Sequence, residues 1–161
     1  MEGSDVSIRE ELADMFGMTR DLLYQHCEGF EETAMRAVPE AGGNAALWIL
    51  AHLVVNRNGL TRLVQGEAEP AFPWEQQAER GAAGDAERLP GKDELLRLFE
   101  GRHRTLIAGL RALGDEDLER CPEGSSIWRR RLLLAHFLHE AYHVGQIALA
   151  RRLAGLEGVV K

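Results

Sequence analysis

Cysteine is scarce in this 161-residue chain, which contains only Cys27 and Cys121. Two thiols far apart in sequence argue against the disulfide framework of small secreted domains. No Cys-x-x-Cys pair is present, which argues against a cysteine-based zinc site. We therefore expect each cysteine to be a small buried apolar side chain.

Long apolar runs are also missing. The longest run, 45–55, is interrupted by His52 and falls short of the roughly 18 apolar residues that a membrane span needs. The acidic start, Met1-Glu2-Gly3-Ser4-Asp5, lacks the basic and then apolar pattern of a signal peptide. The sequence predicts a cytoplasmic protein with no membrane partner.

An excess of positive charge is absent as well. The chain has 19 Lys and Arg residues against 26 Asp and Glu residues, a formal net charge of -7. General nucleic-acid binding needs a basic face for the phosphates, so we expect no nucleic-acid partner. The length and the 45% hydrophobic content suit a single domain, 1–161, with its own core.

Strand signals are weak, since β-branched residues are few and no hairpin dipeptide separates alternating runs. Helical periodicity instead marks four segments, at about Ser7–Cys27, Asn44–Gln65, Asp93–Leu113 and Ser126–Ala154. The connection 66–92 is rich in Gly, Pro, Glu and Ala, is long enough to cross the end of a bundle, and has Phe72 and Trp74 as anchors. These features predict an all-α four-helix bundle with a long crossover loop.

The last predicted helix carries polar side chains on a seam that a bundle normally fills with aliphatic ones. The seam consists of Leu132, His136, His139, His143, Gln146, Ala150 and Leu153. Burying a polar group without a partner costs about 1–3 kcal/mol, so something must compensate here. His139 and His143 lie one turn apart and can ligate one metal ion, while His52 offers a third ligand from another buried helix. Three neutral imidazoles leave a fourth position for water or substrate.

The same residues match two other kinds of metal site. His139-Glu140-x-x-His143 fits the HExxH motif of zinc peptidases, but no sheet edge is predicted to align a peptide. Glu100-x-x-His103 together with Glu140-x-x-His143 fits part of a di-iron site, but the second predicted helix contains no Asp or Glu. We expect Glu140 to face solvent or a neighbouring helix, and Glu100 to be an exposed charge.

Other polar side chains near the seam have less defined roles. His136 could replace one of the ligands, but we interpret it as a partner of the ligands or as a hydrogen-bonded core residue. Gln146 follows His143 by one turn and is a candidate hydrogen-bond partner for it, or a bond between helices. We expect His26 and His103 to be ordinary residues at the edge of the core or on the surface.

Three stretches of the chain carry a family resemblance. The last helix reads His-Glu-Ala-Tyr-His-Val-Gly-Gln-Ile over 139–147, which resembles the HxxxHxGQ signature of the DinB-like (damage-inducible) superfamily. That superfamily includes bacterial thiol-dependent transferases. The Trp-Ile-Leu-Ala-His-Leu stretch over 48–53 resembles its second-helix motif, and 151–158 resembles the ending of its members. The resemblance covers most of the chain.

The resemblance implies a DinB-like bundle in which His52, His139 and His143 hold a divalent metal. Zinc or nickel suits such ligands, although imidazole also binds iron and copper. The implied activity is that of a transferase or hydrolase, with the metal activating water or a low-molecular-weight thiol co-substrate toward a small molecule. The alternative is a non-catalytic bundle whose metal is structural or reports metal availability or stress. Related bundles also pair through helices, which implies a homodimer. No catalytic residue can be named.

Overall fold

The computed structural model describes residues 7–40, 42–67, 70–82 and 86–159. Within these ranges the chain forms six helices and no strand. They are α1 (Ile8–Cys27), α2 (Glu32–Arg36), α3 (Ala46–Gln65), α4 (Lys92–Ala112), α5 (Asp115–Leu118) and α6 (Arg129–Leu153). The predicted all-α class is therefore confirmed, with the four long helices α1, α3, α4 and α6 forming the bundle.

The long helices form a ring in which α1 borders α4 and α6, and α3 borders the same two helices. The Tyr24 hydroxyl donates to the Leu96 carbonyl, and Arg9 donates to the Leu113 carbonyl, so α1 and α4 run antiparallel. In contrast, α3 and α4 run parallel, because Arg57 meets His103 and, further along both helices, Val64 lies against Gly109.

A parallel pair needs a connection that returns along the length of a helix. The segment between Gln65 and Lys92 provides it, which confirms the predicted crossover. In its described part this segment contains only two short 3₁₀ turns, Glu75–Gln77 and Ala86–Arg88. The rings of Phe72 and Trp74 stack with centroids 4.8 Å apart and pack against the core, as predicted.

The two shortest helices escaped prediction because they are too short to show a period. The helix α2 has only five residues and is stabilised by its contacts, since Met35 is fully buried and Arg36 is paired with Glu32. The predicted start of α6 at Ser126 was three residues early. The Ser125 hydroxyl accepts a hydrogen bond from the Ile127 amide at 3.0 Å, which favours a turn at that point.

The buried face of α6 is displaced from the predicted seam by about one residue. It consists of Leu133, Glu140, His143, Val144 and Ile147, with Phe137 partly buried. Leu153, at the end of the predicted seam, is 62% exposed. His136 and His139 therefore lie at the border of the core, His143 belongs to the buried face, and Glu140 occupies the centre of that face.

The two cysteines have different environments. Cys27 is buried as expected, but Cys121 is exposed, so its predicted burial was wrong. Cys121 lies in the connection between α5 and α6, outside any apolar stripe.

No helix in the described part of the chain combines the length and the apolar character needed to span a membrane.

Candidate metal centre

Three histidine side chains meet where α3 and α6 cross. His52 lies near the middle of α3, a helix buried on nearly all sides, and His139 and His143 lie one turn apart on α6. The Nε2 atom of His139 is 3.2 Å from that of His52 and 3.1 Å from that of His143. One nitrogen from each ring lies within 4.8 Å of the other two, so the three residues could hold a metal ion together.

These separations match a tetrahedral metal site. Metal–nitrogen bonds of about 2.0–2.1 Å at tetrahedral angles place two ligand nitrogens about 3.3 Å apart. The observed separations of 3.1 and 3.2 Å lie within a few tenths of an ångström of that value. His139 therefore lies at ligand spacing from both other histidines, and one ligand nitrogen from each of the three rings lies within 4.8 Å of the other two.

The Nδ1 atoms of His52 and His143 point away from the triad, and their hydrogen-bond partners set the tautomers of these two residues. Nδ1 of His52 lies 2.7 Å from the carbonyl oxygen of Ala78, and because a carbonyl only accepts, this nitrogen carries the proton. Nδ1 of His143 donates in the same way to Oε1 of Gln146, also at 2.7 Å. Both Nε2 atoms then present lone pairs toward His139, as metal-binding histidines do.

His139 cannot satisfy both of those lone pairs. A neutral imidazole has one proton, so its Nε2 donates to one neighbour at most while its Nδ1 is buried without a partner among the described residues. Three converging nitrogens with too few protons leave buried acceptors unsatisfied, at a cost of about 1–3 kcal/mol for each. A cation at the centre of the triad removes that deficit.

The protonation states also favour metal binding. Burial, followed by the nearby His143 and His52, lowers the pKa of His139 to about 4. Burial likewise lowers the pKa of His143. Both rings are therefore neutral near pH 7, and metal ligation requires the neutral form.

Aromatic side chains and the crossover segment surround the triad. The Trp48 ring stacks on the His52 ring with centroids 5.2 Å apart, and its Nε1 donates to the Gln77 carbonyl at 2.8 Å. On the other side the exposed Tyr142 ring meets the His143 ring edge-on at 5.2 Å. The crossover thus holds His52 directly through the Ala78 carbonyl and holds the Trp48 ring stacked on it through the Gln77 carbonyl. The α6 side remains accessible through the half-buried His139.

Comparison with known proteins identifies the family. A family model for the DinB superfamily matches residues 15–147, a range that includes all three histidines. The chain belongs to the DinB superfamily. Its fold is similar to the crystal structure of a conserved protein from Enterococcus faecalis, with a TM-score of 0.75 and 11% identity over 92% of this chain and 97% of that chain. At that identity the likeness concerns the fold alone. No curated protein matches the sequence.

In this DinB-superfamily chain, Glu140 is not available to act as a peptidase base. Its side chain is fully buried, and Arg57 binds it through Nε at 2.7 Å and Nη2 at 2.6 Å. The Thr19 hydroxyl donates to the same carboxylate. Of the two expected environments for Glu140, the interface with neighbouring helices is the one observed. The HExxH pattern in this chain is therefore a coincidence of helical spacing.

The di-iron interpretation also fails among the residues that the structure describes. The Glu100 carboxylate is bound by Arg20 at 2.9 Å, so it is not the free exposed charge that we expected. His103 accepts a hydrogen bond from Arg57 at its Nδ1, 2.8 Å away. Within the described ranges, the histidine triad is the only group of three or more ligand-type side chains close enough to share an ion.

The remaining predicted residues fall in two groups. Gln146 contacts a triad member, as proposed from its spacing. His136 instead lies with its Nδ1 2.9 Å from Oδ1 of Asn56, as a hydrogen-bonded residue between α3 and α6. His26 is buried near the end of α1.

A groove of about 710 Å³, lined by α2 and the end of α6, includes no triad residue and so does not indicate a substrate site.

Sequence reasoning missed Arg57 and the two crossover carbonyls. Arg57 could have been found, because it is the only Lys, Arg, Asp or Glu residue between Ala46 and Thr61, in a helix predicted to be buried. Its partner was visible too, as Glu140 is the only acidic residue in α6. The carbonyls of Gln77 and Ala78 had no sequence signal, since any residue supplies a backbone oxygen.

Proposed function

We propose that this protein is a metal-dependent transferase or hydrolase in which His52, His139 and His143 hold one divalent ion, zinc or nickel. The single observation that carries the proposal is the convergence of the three histidines. The Nε2 atom of His139 lies at metal-ligand spacing from the Nε2 atoms of His52 and His143, and the Nδ1 atoms of those two residues already donate hydrogen bonds. An ion with three histidine ligands and an open fourth position lowers the pKa of a bound water or thiol and so supplies a nucleophile.

The residues of the chain have separate tasks in this proposal. Ala78 and Gln146 orient two of the ligand rings, and Trp48 covers one face of His52 against water. Gln146 also donates through Nε2 to the Tyr142 hydroxyl at 3.1 Å, which leaves the Tyr142 proton free to contact a bound small molecule. The proposed substrate is a small electrophile, and the proposed co-substrate is a low-molecular-weight thiol.

The first test is the metal content of the protein after purification without chelators or nickel resin. Wild type is expected to contain close to one zinc or nickel per chain by elemental analysis, and His143→Ala is expected to contain far less. The matched control is His136→Ala on the same helix, which should retain the metal because His136 binds Asn56. Absence of metal from wild type after zinc and nickel are added back would refute the proposal.

A non-catalytic role is the second candidate, and the burial of the site favours it. His52 and His143 are each only 8% exposed, and the triad links α3 to α6 as a structural zinc would. Chelation of the metal separates the two candidates. A large drop in thermal stability with no exchangeable ligand supports the structural role, whereas a folded metal-free protein and a metal that binds added thiol support the enzyme.

We propose in addition that the protein forms a homodimer through α6. Five large apolar side chains share one exposed face of this helix, namely Leu134, Leu138, Tyr142, Leu149 and Leu153. Exposed apolar patches of this kind are typical of interaction surfaces. Sedimentation equilibrium is expected to give twice the chain mass for wild type and the chain mass for Leu138→Lys. A monomeric wild type at all concentrations would contradict this.

A further inference from the structure

A layer of polar side chains crosses the centre of the bundle. Each long helix contributes one residue, namely Thr19 from α1, Arg57 from α3, His103 from α4 and Glu140 from α6. Arg57 uses Nε, Nη1 and Nη2 to bind Glu140, His103 and the Phe16 carbonyl. One guanidinium therefore joins all four helices.

This layer separates the core into two apolar parts. The part near the triad includes Leu23, Val54, Phe99 and Val144, and the other part includes Phe16, Leu60, Leu106 and Leu133. On each helix the polar residue falls between members of the two parts. The Phe16 and Phe99 rings lie 5.1 and 4.6 Å from the Arg57 guanidinium carbon, so aromatic faces cover the charge.

Burying an ion pair is a poor way to gain stability, because the desolvation cost offsets most of the attraction. What such a pair does supply is a fixed geometry. A bidentate Arg–carboxylate contact tolerates little displacement, and leaving either partner unpaired in the core is very unfavourable. Apolar contacts between helices, in contrast, tolerate a range of small shifts.

The ion pair lies close to the triad on both helices that carry it. On α3, Arg57 follows His52 by five residues, and on α6, Glu140 adjoins His139 and precedes His143 by three. Each residue along a helix adds about 1.5 Å of rise, whereas metal–ligand distances tolerate about 0.2 Å. A slip of even one residue between α3 and α6 would therefore destroy the site.

We infer that Arg57 and Glu140 are positioning residues, which fix the register of α6 against α3 and thereby hold His139 and His143 opposite His52. This inference rests on the proposed metal-binding function, but its geometric content does not require a metal. The layer also explains a feature that the proposed function leaves unexplained, a fully buried Arg and a fully buried Glu in a core that apolar residues could fill.

The test separates positioning from stability. The double variant Arg57→Met, Glu140→Met replaces the ion pair by apolar side chains and is expected to remain folded, because such replacements of buried pairs are often neutral or stabilising. Leu110→Ala is the matched control, since it destabilises the apolar part of the core on the far side of the layer and leaves the ion pair intact.

Two measurements are made on each protein. Competition with a chelator gives the zinc affinity, and cobalt absorption reports the ligand geometry. In metal-free protein, NOE contacts between the rings of His52 and His143, whose centroids lie 4.8 Å apart, report the register directly. We expect the double variant to lose at least tenfold in zinc affinity, to change its cobalt spectrum and to lose the NOE contacts. Leu110→Ala should keep the wild-type zinc affinity, cobalt spectrum and NOE contacts, although its unfolding midpoint is lower.

The outcomes are distinct. A folded double variant with wild-type NOE contacts and wild-type affinity overturns the inference. Loss of the NOE contacts in the variant, together with a wild type that binds no metal, supports the inference and refutes the proposed function. If the double variant does not fold, Glu140→Gln is measured in the same way, because it keeps the shape of the side chain and removes the charge. Wild-type contacts and affinity in that variant likewise overturn the inference.

Discussion

The Nδ1 atom of His143 lies 2.7 Å from Oε1 of Gln146, one turn later on the same helix. This contact orients the imidazole ring and directs the Nε2 lone pair of His143 toward the triad. Partners of this kind typically contribute 10–100-fold to metal affinity. Gln146→Leu, which keeps the side-chain volume and removes the acceptor, is therefore expected to weaken zinc binding by about 10–100-fold in a chelator competition.

The control for this prediction is Gln146→Glu, which restores an acceptor at the same position and should retain tight binding. Unfolding midpoints of the metal-free proteins should differ little, since Gln146 is only partly buried. Equal zinc affinities for wild type and Gln146→Leu would show that the contact does not tune the site.

Helices α3 and α4 approach each other closely at Gly109. A methyl group there would lie 2.5 Å from Cγ2 of Val64 and 3.2 Å from Cγ of Gln65, so Gly109→Ala forces the helices apart. Overpacking of this kind costs about 1–3 kcal/mol, against a gain of roughly 0.5–1 kcal/mol in helix propensity. We expect the free energy of unfolding in urea to fall by about 1–2 kcal/mol.

Gly101 provides the matched comparison, because it lies in the same helix and has open space around the position of a methyl group. Gly101→Ala is expected to raise the free energy of unfolding by roughly 0.5–1 kcal/mol. Similar stabilisation by both substitutions would mean that α3 and α4 can separate at little cost.

The two cysteines should react very differently with thiol reagents. Cys27 is 1% exposed, and burial raises the pKa of its thiol to about 12, although Lys92 and Arg151 act in the opposite direction. Cys121 is exposed. A disulfide reagent at pH 8 is expected to modify one thiol per native chain, and both after unfolding. Native Cys121→Ser should therefore be unreactive over minutes, and rapid labelling of that variant would show that the core around Cys27 opens readily.

Acidification should destabilise the metal-free protein. Burial, and then the Arg57 charge, lowers the pKa of His103 to about 4, whereas an unfolded histidine titrates near 6.5. Below about pH 6.5 the unfolded chain binds more protons than the native chain, so stability falls as the pH drops from about 6.5 toward 4. Burial lowers the pKa of His26 and His136 as well, and both add to the same trend.

The share of His103 is measured with His103→Gln, through urea midpoints between pH 7.5 and 5. The free energy of unfolding should fall less steeply with decreasing pH in the variant than in wild type. The difference in slope should approach the value expected for one proton per chain. Parallel slopes for the two proteins would assign the acid sensitivity to the other histidines.

Much of the fold was predictable, because it depends on local signals. Helical periodicity located the four long helices, and composition located the crossover between Gln65 and Lys92. The boundaries that failed depend on particular side-chain contacts, such as the Ser125 turn before α6. The short helices α2 and α5 were not predicted either, because their stability comes from packing and not from a repeating pattern in the sequence.

Part of the candidate site was likewise predictable from local signals, and part was not. Spacing alone placed His139 and His143 on one face of a helix. The position of His52 in another buried helix offered it as a third ligand, and the resemblance to the DinB-like superfamily implied the same three residues. Spacing also suggested Gln146 as a partner. Periodicity could not show which face of α6 turns toward the core, and the predicted seam was off by about one residue. That small rotation moved Glu140 from an undecided position into the centre of the bundle.

The sequence by itself determined the helices, the crossover and the pair of histidines one turn apart, because each depends on neighbours within a few positions along the chain. Only the tertiary structure decided that His52 meets that pair, that the carbonyls of Gln77 and Ala78 hold the Trp48 and His52 side chains, and that Arg57 pairs with Glu140. These relationships join groups far apart in sequence. They arise when four helices pack at one register, and no periodicity within a single helix encodes the position of another.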